Sequence, residues 1–173
     1  MEKFSTILLV VDAQEGFRNI HTERAIPFIV TAVRSNRYPV LFTRFINDPD
    51  SNFERVLNWP KMRSDANTAM LRELSSFVSS ARVFDKSGYS AFTSLQFSQY
   101  IRDAGVESMD ICGFDTDACV LATALNAFDA GYRPRILAEA CASSGGMRLH
   151  ESGLEILERN VGKEAIIRGR TNA

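Results

Sequence analysis

Short, uninterrupted apolar runs alternate along the chain with stretches whose apolar residues recur at helical spacing. Thr6–Val11 is β-branched and aliphatic almost throughout, the pattern of a strand covered on both faces. From about Glu23 to Asn36 the apolar positions Ile26, Ile29, Val30 and Val33 fall on one helical face. Tyr38–Phe45 reads as a second strand. Asn47–Lys61 is polar, carries Pro49 and Pro60 and has no clear period, so a loop or lid is expected there. A short helix is predicted over Ala69–Ser79 and a third strand over Ala81–Asp85. Leu95–Ala104 is helical, with Gly105 as its C-cap. A fourth strand over Ser108–Cys112 leads to a helix that starts at Thr116 or Asp117 and ends at Gly131. A fifth strand (Arg135–Ala138), a helix (Leu149–Val161) and a sixth strand (Glu164–Ile167) complete the series. Strand and helix alternating in this way predict an α/β fold: one doubly wound, Rossmann-like domain over residues 1–173, with three αβα layers and a mostly parallel six-stranded sheet.

Polar and reactive residues interrupt this pattern where the strands end, the edge at which parallel sheets carry their chemistry. The first strand runs into Asp12, which by itself fits a turn or cap carboxylate equally well. The third runs into Lys86 and a Ser-Gly turn, where a solvated lysine is the ordinary reading. The fourth is followed by a tight turn and by Cys119 in the first turn of a helix. Helix N-termini favour thiolate, but position alone leaves both a packed core cysteine and a nucleophile open. Cys112, inside a strand, and Cys141, just after one, read as packing. Convergence of Asp12, Lys86 and Cys119 on one site is more economical than three unrelated surface roles.

These residues stand in three motifs: Asp12-x-Gln-x-x-Phe17, Lys86-x-x-Tyr-Ser-Ala-Phe92, and Gly113-x-x-Thr-Asp-x-Cys-Val120 followed by Ala127-x-x-Ala-Gly-Tyr132. In that order the chain resembles the isochorismatase-like cysteine hydrolases, a superfamily with nicotinamidases, N-carbamoylsarcosine amidases, ureidoacrylate-type amidases and isochorismatases, from about Ile7 to Ile167. The resemblance implies a catalytic triad of Asp12, Lys86 and Cys119. It also implies an oxyanion hole from the backbone N–H groups of Asp115 and Cys119, with a cis peptide between Asp115 and Thr116. Chemically, Lys86 beside Cys119 would lower the thiol pKa, and Asp12 would shuttle the proton from thiol to departing amine. Metal-using relatives carry histidines after the second strand. Here the stretch is Thr43-Arg-Phe-Ile-Asn-Asp-Pro-Asp50, and the chain's His21 and His150 read as surface or satisfied residues, so no metal and no cofactor is expected. The cysteine favours C–N bond hydrolysis. Vinyl-ether hydrolysis of the isochorismatase type and a catalytically silent binding protein are the alternatives.

Beyond the triad, Phe17, Tyr89 and Phe92 are candidates for a slot that takes a flat substrate, or for core packing. Gln14 would bond substrate or its own turn. Trp59 would close over the site or anchor the lid, and Arg44 would pair a substrate carboxylate or a surface acid. Composition adds exclusions: net charge is −1 with Lys and Arg scattered, so the expected partner is a small molecule rather than nucleic acid. No apolar run approaches the length of a membrane span, the start is unlike a signal peptide, and three cysteines without paired spacing fit a reducing compartment, so a cytoplasmic protein is expected. Family resemblance further implies a homo-oligomer.

Overall fold

A computed structural model describes residues 3–78 and 82–169. Six strands form one sheet in the order β3-β2-β1-β4-β5-β6, every adjacent pair parallel: β1 (Thr6–Val11), β2 (Val40–Phe45), β3 (Arg82–Lys86), β4 (Ser108–Phe114), β5 (Arg133–Ala142) and β6 (Ile166–Ile167). Ile7 to Val11 of β1 and Met109 to Phe114 of β4 are all buried, which is why these central strands read as solid apolar runs. The longer helices are α1 (Ile26–Ser35), α5 (Leu95–Ala104), α6 (Leu121–Asp129) and α7 (Met147–Val161). Single turns of helix lie at Asn52–Arg55 (α2), Asp65–Thr68 (α3) and Ser75–Val78 (α4). The strand order grows one way from β1 to β3 and the other way from β4 to β6. Right-handed crossovers in opposite directions place helices on both faces, the doubly wound arrangement expected.

The boundary between β1 and β4 is the point at which the strand order reverses. There the backbones approach so closely that a Cβ on Gly113 would lie 2.0 Å from the Val11 carbonyl oxygen, and Gly113 has φ of 117°. Only glycine fits that contact and that conformation.

Several boundaries differ from expectation. β4 continues two residues past Cys112, and β5 runs from Arg133 to Ala142, not 135 to 138, because its pairing with β4 extends from Arg133 to Ala142. The helix expected from residue 69 is a 3-10 turn (Arg72–Leu74) followed by α4. Met70 instead forms an antiparallel bridge with Gln14. The expected helix end at Ser79 and strand start at Ala81 lie outside the described residues. The last strand is only Ile166–Ile167, since Lys163–Ala165 closes into a 3-10 turn. Leu95–Ala104 and its left-handed Gly105 cap match expectation.

Candidate active site

Asp12, Lys86 and Cys119 meet at the carboxyl edge of the sheet, beside the reversal of strand order. The Lys86 Nζ lies 2.7 Å from Asp12 Oδ2, with both side chains fully buried, and 3.5 Å from Cys119 Sγ. It also donates to the carbonyls of Gly88 (2.7 Å) and Tyr89 (2.9 Å), so the turn after β3 aims the ammonium inward. Burial opposes the charged form of Lys86, but the negative charge of Asp12 and the neighbouring sulfur outweigh it, and its pKa is raised. The lysine therefore remains a cation.

Asp12 is held by Thr43, a residue the sequence analysis passed over. Thr43 Oγ1 donates to Asp12 Oδ1 (2.7 Å) and accepts the Asp12 N–H (3.2 Å). Asp12 sits at φ 47°, the left-handed region that aspartate tolerates better than most residues. Its other oxygen, Oδ2, faces the ammonium as an ion pair and takes no hydrogen bond of good geometry, leaving a lone pair beside the thiol. Thr43 is fully buried in β2, where a threonine fits the strand pattern whether or not its hydroxyl is used.

Cys119 lies in a π-helical turn, Thr116–Val120, between β4 and α6. Such wide turns often mark functional positions in helices. The Asp115 carbonyl accepts the N–H groups of Ala118 (3.1 Å) and Val120 (3.0 Å), on either side of Cys119. The cis peptide is Phe114–Asp115, one residue earlier than expected, at the junction of the last residue of β4 with the turn. The thiol also departs from expectation. Burial and then the Asp12 carboxylate push its pKa well up, and the pull of Lys86 does not compensate. Burial and the neighbouring carboxylate thus both disfavour the thiolate before substrate binds. Such an arrangement can pass a proton from sulfur to Asp12 as the sulfur bonds to carbon.

Asp115 is braced by Ser144, which follows the end of β5 in a Ser-Ser-Gly-Gly turn. The Ser144 N–H donates to Oδ1 (2.8 Å) and its hydroxyl to Oδ2 (2.5 Å). Burial nevertheless pushes the Asp115 carboxyl up to about 6, with the Ser144 hydrogen bonds acting in the opposite sense. Thr116, expected beside the oxyanion position, is fully buried, with its hydroxyl 2.7 Å from His150 Nδ1.

Above the cysteine opens a cavity of about 270 Å³. Asp115, Ala118, Cys119 and Ser144 line its base, and Phe17, Phe45, Phe53, Leu57, Trp59 and Tyr89 its walls. Trp59 stacks on Phe17 (centroids 6.2 Å), and Phe53 meets Tyr89 edge to face (4.9 Å). Trp59 is both wall and anchor: its backbone N–H donates to the Phe53 carbonyl, and Asn47 Nδ2 donates to the Trp59 and Lys61 carbonyls. Phe17 and Tyr89 thus line the cavity, whereas two other candidates do not. Phe92 packs against Phe97 and Tyr132. Gln14, fully buried, spends its amide on the Phe45 carbonyl (3.0 Å), the Thr68 carbonyl (2.9 Å) and the Phe45 N–H (2.8 Å), stapling the end of β2 to the end of α3. Arg44 forms a bidentate pair with Asp85 (2.7 and 2.8 Å), away from the cavity. Among the described residues, no three His, Cys, Asp or Glu side chains converge as metal ligands, and no helix is long and apolar enough to cross a membrane.

The profile of the isochorismatase domain matches residues 6–165. The chain is 34% identical over 71 residues to isochorismatase family protein 2A of Dictyostelium discoideum, a match covering 40% of this chain and 35% of that protein. The chain therefore aligns with only about a third of that curated relative's length. Its fold superposes on a nicotinamidase from Bacillus subtilis with a TM-score of 0.83, at 21% identity, over 95% of this chain and 100% of that one. It superposes on an N-carbamoylsarcosine amidase from Thermoplasma acidophilum with a TM-score of 0.81, at 21% identity and 98% coverage of both chains. At these identities the two superpositions establish shared architecture.

Proposed function

This chain belongs to the isochorismatase family, and on that premise we propose that it is a hydrolase cleaving the C–N bond of a small amide, carbamoyl or ureido substrate through a thioester on Cys119. The observation that carries the reading is the buried set at the cavity base, Asp12 against Lys86 at 2.7 Å and Lys86 against Cys119 at 3.5 Å. A buried ion pair beside a thiol stabilises a fold poorly, so its presence under an open cavity favours chemistry.

The thiol gives its proton to Asp12 as Sγ attacks the carbonyl carbon. The oxyanion that forms is assigned to the backbone N–H groups of Asp115 and Cys119, in the turn that carries the nucleophile. Asp12 then delivers the proton to the departing nitrogen as the C–N bond breaks, leaving an acyl group on sulfur. Water, deprotonated by Asp12, attacks the thioester; the acid leaves and the thiol is restored. Lys86 stays protonated throughout and offsets the negative charge that moves between carboxylate, sulfur and oxyanion. No step requires a Lewis acid, and the reaction is proposed to be metal-independent.

The test is ammonia release across a panel of small amides, with Cys119→Ala alongside and the wild type quenched for mass mapping. A turned-over amide, an acyl adduct on the Cys119 peptide and activity retained after exhaustive chelation are expected. Undiminished turnover by Cys119→Ala would refute covalent catalysis, and activity lost to chelation and restored by zinc, iron or manganese would refute metal independence.

A further inference from the structure

A second hollow of about 470 Å³ lies beside the first, and the two share Phe53, Leu57 and Tyr89 as walls. Val56 lines only the outer one and is 74% exposed, while Leu57 and Tyr89 at the shared rim are 55% and 44% exposed. Large apolar side chains exposed together around a hollow are an unfavourable way to meet water unless something covers them. The outer hollow is completed by Ser51, Asn52, Ser87 and Gly88, so no ionisable group with a charge at neutral pH lines it, and in the inner cavity Asp115 is the one acid and no cation lines the wall.

From the shared walls and this distribution of charge, we infer that the outer hollow is a subsite for the distal, uncharged apolar part of the substrate, whose reacting carbonyl lies over Cys119. The inference rests on the amidase reading for the carbonyl end but concerns a separate surface. Recognition there is by area. Both hollows present rings and aliphatic groups, and the polar groups at the inner base, Asp115 and Ser144, bond each other. A carboxylate at the far end would meet no cation in either hollow and would have to shed water against apolar walls. The preferred substrates are therefore elongated neutral amides, longer than the inner cavity holds.

The experiment measures binding of the primary amides butanamide, hexanamide, octanamide and decanamide to Cys119→Ala, followed by the emission of Trp59, the single tryptophan. In parallel, kcat/KM of the wild type is measured on the same series, which keeps the test open if the variant folds poorly. Once the chain exceeds the inner cavity, affinity should rise about fourfold per added methylene, equivalent to about 0.8 kcal/mol of burial. The gain should vanish when the far end carries a carboxylate, and should shrink in Val56→Ser. Affinity that levels off at the shortest amides, or a length gain indifferent to both the carboxylate and Val56→Ser, overturns the subsite. Length-dependent binding without hydrolysis of any amide would uphold the subsite and overturn the amidase reading, so the two failures are distinguishable.

Discussion

The base and the roof of the cavity are built on opposite principles. At the base, Asp12, Thr43, Lys86 and Cys119 come from the ends of β1, β2 and β3 and the turn after β4, and each is tied to another by a short polar contact. At the roof, Phe17, Phe53, Trp59 and Tyr89 come from loops and single helical turns and touch through ring faces and edges. Polar contacts in a dry interior fix geometry to a few tenths of an ångström but tolerate no missing partner. Ring packing tolerates exchange, because dispersion and area depend little on direction. The base is suited to one chemistry, and the roof can change substrate without disturbing it.

That contrast is broken most severely by removing the sulfur. Cys119→Ala should lower turnover of any amide substrate at least about 10⁴-fold while leaving the fold intact, as covalent catalysis requires. Unaltered far-ultraviolet dichroism beside unaltered activity would contradict the assignment. Next in size is Lys86→Met, which strands the Asp12 charge in the interior and should reduce unfolding free energy by about 3–5 kcal/mol in urea titrations. Adding Asp12→Asn to that variant should recover part of the loss, since the orphaned charge is then gone. A double variant no more stable than Lys86→Met alone would mean that the pair is not coupled.

A pH-dependent effect follows from Asp115. Its carboxyl is raised to about 6 by burial, so the folded state holds a proton that the unfolded chain releases nearer its ordinary value. The favourable contribution is fully present below the unfolded carboxyl range and is lost as pH climbs through about 6, a swing of about 3 kcal/mol by neutral pH. Asp115→Asn keeps an acceptor for the Ser144 N–H and removes the charge. Its stability relative to wild type should improve between about pH 4 and pH 7 and level off above, as read from melting temperatures across that range. A difference constant with pH would locate the titration elsewhere. The smallest effect belongs to the roof: Trp59→Ala should raise KM about tenfold, about 1.4 kcal/mol of binding, with kcat changed much less. A fall in kcat equal to that of a base variant would erase the distinction between the two regions.

The same contrast explains what could be read from the sequence. Base residues stand where apolar runs stop, and a charge or thiol at the end of a buried strand is conspicuous: Asp12, Lys86 and Cys119 were all found this way, and the structure brings them together. Thr43 escaped notice because a β-branched threonine suits a strand whether or not its hydroxyl is used. The roof has no period to read. Phe53 belongs to a single turn of helix within a polar loop, so its place in the cavity wall depends on contacts with Phe45, Trp59 and Tyr89 that no local pattern encodes. For Phe92 and Gln14 the sequence left a pocket role and a packing or turn role both open, since proximity in sequence to Asp12 or Lys86 says nothing about which way a side chain points; the structure gives both the second role. The thiol was misjudged because the cation was weighed without the desolvation and the carboxylate that act against it.

The ion pair between Asp12 and Lys86 also bears on how the chain assembles. Its two halves are contributed by β1 in the middle of the sheet and β3 at an edge, with β2 between them. Edge strands ordinarily fray first, since they have a neighbour on one side only. Here, peeling β3 away would withdraw the ammonium and leave a carboxylate in the centre of the sheet with no counter-charge. Docking the centre first, without the edge, meets the same penalty. The strands are thereby bound into one cooperative unit, and partial openings that would expose the sheet edge to another chain become rare. The pair joins residues 74 positions apart in the chain, so a local opening at this edge removes a buried counter-charge from the middle of the sheet.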